Sequence, residues 1–513
     1  MVGVTWRNGS ADDVTVLVRT HTGGSWTGWS SLDQASVGTE QVRSTRTGTE
    51  PYYAGPSDGV QVRVDVRAGR APADLRVELV DPGDSPADAH VGQTPPAAAS
   101  AAIGMPTIYT RAQWGADESL RNSGPRYSST IKGGFVHHTD GANGYSSSDV
   151  PKIIRGIYAY HVLSNGWSDI GYNFLVDRFG RIWEGRYGGM DRPVIGAHTA
   201  GFNTDTFGVA AIGNYDTTAA PSAMLSGIAR VMAWKLSLHY RNPNGTMTLT
   251  SGGGDTNRYP AGTVVTKPTI SAHRDMGYTA CPGQYLYAQL ATIRSQAASY
   301  LGAGLVNPTS SATQAPYQGS PITLTSGVLR SQGWRLEVHE RCSGRVVRAF
   351  SGTASPSSPM RTVWDLRDGS GSFVRPGVYD ATLSTWSGSL TGRPWTQPIT
   401  VTTTTPATSV SPVPAPGESS FVAVNPQRIY DSRSGGQQPL GPQGQVDLKV
   451  LGAGGVPASG VAAVALNVTG TCPTANTYFT VWPAGVARPN SSSLNLTAGS
   501  TRAALTVSAV GGG

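Results

Sequence analysis

Two stretches are the most informative about the centre of this chain: GGFVHHT at residues 133–139 and SAHRDMGYTACPG at residues 271–283. The first is an apolar strand that ends in two adjacent histidines, and the second carries a histidine and a cysteine, His273 and Cys281. Imidazole and thiolate are donors that zinc prefers, and three protein ligands leave a fourth position for water. The pair of stretches therefore predicts a catalytic zinc site. Taken alone, Cys281 fits a free thiol packed in a loop equally well.

Helical and extended patterns alternate from Met105 to about Gly302, which predicts an α/β domain with a mixed sheet flanked by helices. Residues 146–165 begin with capping side chains, place Pro151 early in a helix and repeat apolar residues at helical spacing. Further helices are predicted at 221–239 and 283–300. Strands are predicted at GGFVHHT, GYNFLVD, RIWEGR and TFGVAAIGNY.

The flanking sequence predicts all-β, sandwich-like modules joined by linkers. Apolar residues alternate with polar ones at two places near the N-terminus, which predicts strands with one buried face: Val60, Val62, Val64, Val66 and Leu75, Val77, Leu79. We expect β modules at 1–81, 321–403 and 420–513, the last of them truncated. Stretches rich in Pro, Ser, Thr or Ala predict linkers at 82–104, 303–320 and 404–419.

Composition excludes several classes of protein. The 513 residues include 65 Gly and 35 Pro, and only 14% are charged, which excludes a coiled coil. The sequence contains no apolar run of about 18 residues, so no membrane span is expected. The net charge of +7 comes from scattered arginines, which argues against a nucleic-acid partner and is compatible with an anionic cell wall. We expect a monomer.

The three cysteines are far apart in the sequence and define no disulfide framework. If Cys281 binds zinc, Cys342 and Cys472 remain in separate β modules, and we expect both to be unpaired. The first residues, MVGVTWRNGS, lack the basic and apolar regions of a signal peptide.

Residues 106–300 resemble the peptidoglycan recognition protein family, which includes zinc N-acetylmuramoyl-L-alanine amidases. Six motifs stand in family order: FVHHT, GWSDIGYNFLVD, GRIWEGR, GAHTAGFN, FGVAAIGNY and AHRDMGYTACPG. The resemblance implies zinc ligands at His137, His273 and Cys281. It implies catalytic roles for Tyr172 and Thr279, and substrate contacts from His138, Gly166, Trp167, Arg186, His198 and Asn214. The Ig-like character of 321–403 is likewise a resemblance, to a spacer module of secreted enzymes.

The expected function is zinc-dependent hydrolysis of the amide between N-acetylmuramic acid and L-alanine in peptidoglycan. In this resemblance Gly166-Trp167 implies meso-diaminopimelate stems, and Arg186 is either a carboxylate partner or a solvated residue at a strand end. His198 either lines the cleft or is structural, and His161 is expected to pack within its helix. The general base stays open. The alternatives are a muropeptide-binding protein without activity and a wall-associated adhesin. Because peptidoglycan lies outside the cytoplasm, we expect a secreted or wall-associated protein with an export signal upstream of Met1.

Overall fold

The computed structural model describes residues 1–7, 14–35, 46–66, 71–90, 104–254, 256–402, 421–433 and 439–511. The described chain comprises an N-terminal β module, a central α/β domain and two further β modules. The multidomain fold class expected from the sequence is confirmed. The predicted linkers at 82–104 and 404–419 lie largely outside the described residues.

The N-terminal module consists of two antiparallel sheets around a core of valines and Trp6. Its strands are β1 (Val2–Arg7), β2 (Val14–Thr22), β3 (Ser25–Trp26), β4 (Ser30–Leu32), β5 (Thr47–Gly48), β6 (Gly59–Val66) and β7 (Ala73–Leu79). One sheet has the order β5-β1-β7, and in the other β2 pairs with β3, β4 and β6. The predicted buried face of β7 is wrong: Leu75, Val77 and Leu79 are exposed. Among the described strands of the module, β7 pairs only with β1 at the sheet edge, and side chains of β1 and β2 fill the core instead.

The central domain is built on a six-stranded mixed sheet. Its strands are β8 (Ile108–Tyr109), β9 (Gly133–His138), β10 (Phe174–Val176), β11 (Ile182–Glu184), β12 (Thr206–Ala211) and β15 (Ile270–Ala272). Between β12 and β15 in sequence, β13 (Thr246–Thr250) and β14 (Val264–Pro268) form a separate hairpin. The strand order is β15-β9-β12-β10-β11-β8, and only β10 and β11 pair antiparallel within it. All four strands predicted from the sequence are present.

Helices cover both faces of this sheet. They are α1 (Val150–Ala159), α2 (Ser222–Ser237), the short α3 (Gln284–Tyr287) and α4 (Leu290–Tyr300). The apolar side chains of α1 pack with Leu175 and Trp183, whereas α2 and α4 share the opposite core with Val136 and Phe207. The three predicted helical segments are confirmed, the last of them as two helices. A π-helical turn, Tyr160–Ser164, extends α1.

The third module is a second two-sheet β structure. Its strands are β16 (Leu305–Ser310), β17 (Gln314–Pro316), β18 (Ile322–Val328), β19 (Gln332–Glu340), β20 (Val346–Ala354), β21 (Met360–Trp364), β22 (Gly377–Ser387), β23 (Leu390–Thr391) and β24 (Trp395–Thr402). Two of them, β16 and β17, lie inside the predicted linker 303–320, so that prediction is wrong. Leu305 and Ala315 are buried in the module core, and their burial stabilises these strands although the surrounding composition is typical of a linker.

The C-terminal module contains β25 (Ala463–Thr471), β26 (Thr477–Phe479), β27 (Leu494–Leu496) and β28 (Thr501–Ala509), in two two-stranded sheets. A disulfide joins its Cys472 to Cys342 of the third module, so the expectation that both are unpaired is wrong. The fold brings their Cα atoms to 5.1 Å although 130 residues separate them. Among the described residues, no helix is both long and apolar enough to span a membrane.

Candidate metal centre

The three predicted ligands converge at the carboxyl ends of two parallel strands. His137 lies near the end of β9, and His273 directly follows β15, whose Ala272 pairs with Val136. Cys281 lies in the loop that leads to α3. The ligand atoms of the three side chains all lie within 4.8 Å of one another, and all three residues are buried. The parallel register therefore brings together residues that are 136 and 144 positions apart in sequence.

This donor set fits a tetrahedral metal ion. His137 Nδ1 lies 3.7 Å from Cys281 Sγ, close to the roughly 3.6 Å separating nitrogen and sulfur ligands on tetrahedral zinc. His273 Nε2 is buried and has no hydrogen-bond partner within the described part of the chain. Burial lowers the pKa of His273 to about 4, which keeps its imidazole neutral and able to coordinate. Burial also raises the pKa of the Cys281 thiol well above its usual value, so metal binding must release a proton there.

His198 contacts the candidate ligand His137 from the other side of its ring. Its Nδ1 lies 3.2 Å from His137 Nε2 and 3.0 Å from Thr199 Oγ1. A ligating histidine usually gives its second ring nitrogen to a neighbouring polar group, which fixes the orientation of the ring. His198 is thus placed to orient His137, and with 2% exposure it does not face solvent.

The two predicted catalytic side chains lie beside the donor set. The Tyr172 ring centroid is 5.4 Å from that of His137. Burial, followed by the neighbouring Glu50 carboxylate, holds the pKa of Tyr172 well above its usual value, so its hydroxyl stays protonated and donates. Thr279 Oγ1 accepts a 3.0 Å hydrogen bond from the backbone N–H of Cys281, which ties its position to that of the candidate ligand.

The predicted substrate-contacting residues are distributed around this centre and are largely buried. Trp167, which follows Gly166, is 2% exposed and lies against the His161 ring, with centroids 4.4 Å apart. The Arg186 guanidinium donates to the Ile170 carbonyl at 3.0 Å and to Ser168 Oγ at 2.6 Å. Arg186 is therefore not the solvated strand-end residue of the alternative interpretation. Contact of either side chain with substrate stays a prediction.

Two further predicted residues bind acidic neighbours. His138 Nε2 lies 3.3 Å from Asp33 Oδ2, and its backbone N–H faces Cys281 Sγ at 3.4 Å. Asn214 Nδ2 donates to Asp140 Oδ1 at 2.5 Å. Burial, and then the Asp33 carboxylate, raise the pKa of Asp140 to about 8. Asp140 therefore belongs to the surroundings of the centre, although no sequence motif singled it out.

The N-terminal module contributes two carboxylates here that no sequence motif indicated. Asp33 follows β4 and Glu50 follows β5, and the Glu50 N–H donates to the Asp33 carbonyl at 2.8 Å. Tyr172 Oη donates to Glu50 Oε2 at 3.1 Å, and Thr279 Oγ1 donates to Asp33 Oδ2 at 3.1 Å. His161, expected to pack only within its helix, also reaches Glu50, with Nε2 3.4 Å from Oε2.

The fold and the donor set define an α/β domain with a buried His–His–Cys centre. Residues 127–284 match the family model for N-acetylmuramoyl-L-alanine amidases, and residues 1–96 match a model described as an N-terminal galactose-binding domain-like unit. Peptidoglycan-recognition protein SC2 of Drosophila simulans is 30% identical over 196 residues, 38% of this chain and 89% of that protein. The chain belongs to the peptidoglycan recognition protein family. Its central domain is a peptidoglycan-related amidase or binding domain.

The chain is also similar to a further relative and to two solved structures. Peptidoglycan-recognition protein LB of Drosophila melanogaster is 28% identical over 186 residues, 36% of this chain and 68% of that protein. Among solved structures, wild-type Drosophila PGRP-LB is 27% identical, covering 36% of this chain and 92% of that one, with a TM-score of 0.29. The endolysin N-acetylmuramoyl-L-alanine amidase LysCS from Clostridium intestinale is 19% identical, with 37% and 96% coverage and a TM-score of 0.27.

Proposed function

We propose that the central domain is a zinc-dependent N-acetylmuramoyl-L-alanine amidase acting on peptidoglycan with meso-diaminopimelate stems. The observation that carries the proposal is the convergence of His137, His273 and Cys281 within 4.8 Å of one another, beside a protonated tyrosine. Three ligands leave one coordination position open, which is typical of catalytic rather than structural zinc. The Gly166-Trp167 pair supports the choice of stem peptide.

Zinc bound by these ligands would polarise the scissile carbonyl and lower the pKa of its bound water to about 7. The chain's own groups then divide the remaining work. Tyr172 donates a hydrogen bond to the oxygen that becomes negative, a contact worth about 3 kcal/mol in comparable sites. Thr279 orients the substrate carbonyl or the attacking water, and His198 holds the His137 ring in its ligating orientation. No proton acceptor is assigned among the described residues.

We further propose that the protein acts outside the cytoplasm, in secreted or wall-associated form. Its substrate lies there, and the Cys342–Cys472 disulfide is of the kind that persists in oxidising compartments.

The test is mass spectrometry of purified diaminopimelate-type sacculi incubated with the zinc-loaded full chain. We expect release of stem peptides with a free N-terminal L-alanine, and one metal ion per chain. Because mass spectrometry identifies the product, even a slow reaction is sufficient to detect the activity. His273→Ala is expected to lose both the metal and the product, whereas His239→Ala, a histidine of the same domain that contacts Thr130, keeps both. Binding to sacculi without new L-alanine termini would instead identify a binding protein.

A further inference from the structure

Loops of the N-terminal module end inside the candidate active site. The turns after β4 and β5 lie side by side, and each delivers one carboxylate, Asp33 and Glu50. Although burial opposes its ionisation, hydrogen bonds from His138 and Thr279 hold the pKa of Asp33 below its usual value. The ligand atoms of Asp33, His138 and Cys281 lie within 4.8 Å of one another, so this carboxylate reaches the edge of the donor set.

Each of these two carboxylates accepts a hydrogen bond from one of the proposed catalytic hydroxyl groups. Tyr172 Oη donates to Glu50, and Thr279 Oγ1 donates to Asp33. A hydroxyl has a single proton to donate, so neither group can donate to a substrate carbonyl while the module is in this position. Tyr172 is 4% exposed and Cys281 is 5% exposed. Little of either side chain therefore faces solvent while the module is in this position.

The contact extends well beyond the two carboxylates. Gly3 of β1 packs against the Tyr160 ring so closely that a Cβ at that position would overlap it. On the neighbouring surface, a Cβ on Gly141 would lie 3.4 Å from Tyr53 Cβ. The Asp33 N–H also donates to Asp140 Oδ2 at 2.7 Å. Close packing combined with buried hydrogen bonds indicates a formed interface between the module and the central domain.

A second attachment lies just after the module. Arg155 of α1 binds Asp88 through both terminal nitrogens at 2.8 Å and donates to the Gly83 carbonyl at 3.0 Å. This bidentate pair fixes the segment that leaves the module against the central domain. The module is thus held at its two acidic turns, along β1 and at its C-terminal end.

We propose that the N-terminal module is an intramolecular cover that keeps the amidase latent, and that hydrolysis requires its displacement from the cleft. The proposal rests on the proposed amidase function, because latency has meaning only for an active enzyme. Asp33 and Glu50 act in it as competitors of the substrate for Thr279 and Tyr172. A module that instead completed the active site would leave Tyr172 and Thr279 free to donate to substrate, whereas here they donate to Glu50 and Asp33.

The test compares an opened, a control and a locked full-length protein. Gly3→Val opens the cover, since the added side chain overlaps Tyr160 without altering any charge near the centre. Gly28→Val is the matched control, because nothing lies within 4 Å of a Cβ at that position of the same module. Tyr53→Cys combined with Gly141→Cys locks the cover, as their Cβ separation of 3.4 Å is close to the lower limit of about 3.5 Å for a disulfide.

Two readouts keep the cover and the amidase chemistry separate. The first is the alkylation rate of Cys281, the free cysteine, by iodoacetamide in metal-free protein. The second is release of N-terminal L-alanine from sacculi by zinc-loaded protein. In Gly3→Val, this overpacking is expected to raise the rates of alkylation and of L-alanine release by about 10- to 100-fold. Both rates in Gly28→Val should match those of the wild type. The oxidised lock should slow both, and reduction should restore them, with reduced wild type as reference.

The possible results separate the alternatives. Equal alkylation rates in opened, locked and wild-type proteins would overturn the cover. Loss of L-alanine release in a folded Gly3→Val protein would overturn it as well and would make the module part of the active site. If alkylation follows opening and locking while no variant releases L-alanine, the cover stands and the amidase proposal fails. If Gly3→Val does not fold, the reversible lock alone decides.

Discussion

Replacing Glu50 with glutamine tests the latent state by changing one charge. The Glu50 carboxylate accepts a hydrogen bond from Tyr172 Oη at 3.1 Å and lies 3.4 Å from His161 Nε2. Glutamine has nearly the same shape and can still accept through its amide oxygen. Glu50→Gln therefore weakens the contact between the module and the cleft without creating a cavity.

The size of the effect follows from these two contacts. Hydrogen bonds to charged groups contribute about 1.5–3 kcal/mol each, against about 0.5–1.5 kcal/mol for neutral ones. Two weakened contacts would lower the free energy of closure by about 2 kcal/mol, a factor of about 30 in the ratio of closed to open protein. Glutamine also removes the desolvation cost of a buried carboxylate, which offsets part of this weakening. We expect the rate of L-alanine release to rise about 3- to 30-fold.

The assay is the initial rate of stem-peptide release from sacculi at low substrate concentration, with zinc content measured in parallel. Asp65→Asn is the control, because Asp65 pairs with Arg63 on the surface of the same module. Its rate should equal that of the wild type. A drop of tenfold or more in Glu50→Gln, at unchanged zinc content, would refute this reasoning, since Glu50 would then assist catalysis rather than obstruct it.

Three further predictions concern the chemistry and the stability of the fold. Tyr172→Phe should lower kcat about 100- to 1000-fold in the Gly3→Val background with zinc content unchanged; retention of full kcat would remove Tyr172 from the mechanism. Arg155→Met removes the guanidinium that binds Asp88 and should destabilise the chain by about 3 kcal/mol, measured as a lower Tm in calorimetry; an unchanged Tm would show that the pair is dispensable. Burial lowers the pKa of Lys235 to about 7, so the unfolded state binds more protons and stability should rise with pH from about 7 towards 10. Lys235→Met should flatten that rise in denaturant titrations, and an unaltered slope would contradict the assigned pKa.

The sequence was sufficient to predict the elements that carry the centre. Short apolar stretches located β9, β10 and β12, helical spacing located α1 and α2, and the motifs around them placed His137, His273 and Cys281 in one site. These signals are local, because each strand or helix shows its buried face in its own residues. Their assembly follows from parallel strand pairing, which brings the ends of β9 and β15 to the same edge.

Contacts between modules left no comparable pattern. Asp33 lies 105 residues from His138 and 246 from Thr279, and an acidic residue after a short strand is typical of an ordinary surface turn. The Cys342–Cys472 pair was missed for the same reason, since two isolated cysteines define no spacing. The composition of β16 and β17 is typical of linkers and therefore did not predict strands, although single residues such as Leu305 are buried in the core.

The glycines at the module interface nevertheless provide a sequence signature of the cover. Gly3 allows β1 to approach Tyr160, Gly141 allows Tyr53 to approach the loop after β9, and Gly156 makes room on α1 for the Met1 side chain. None of the three has a positive φ, so backbone conformation does not require glycine at these positions. Their small size serves the contact between domains, and a Cβ at position 3 or 156 would overlap the facing side chain. A chain of the same architecture that combines larger residues at these positions with neutral residues at 33 and 50 should therefore hydrolyse sacculi without a latent phase. If such a chain proved as latent as this one, close packing and the two carboxylates would not be what holds the cover in place.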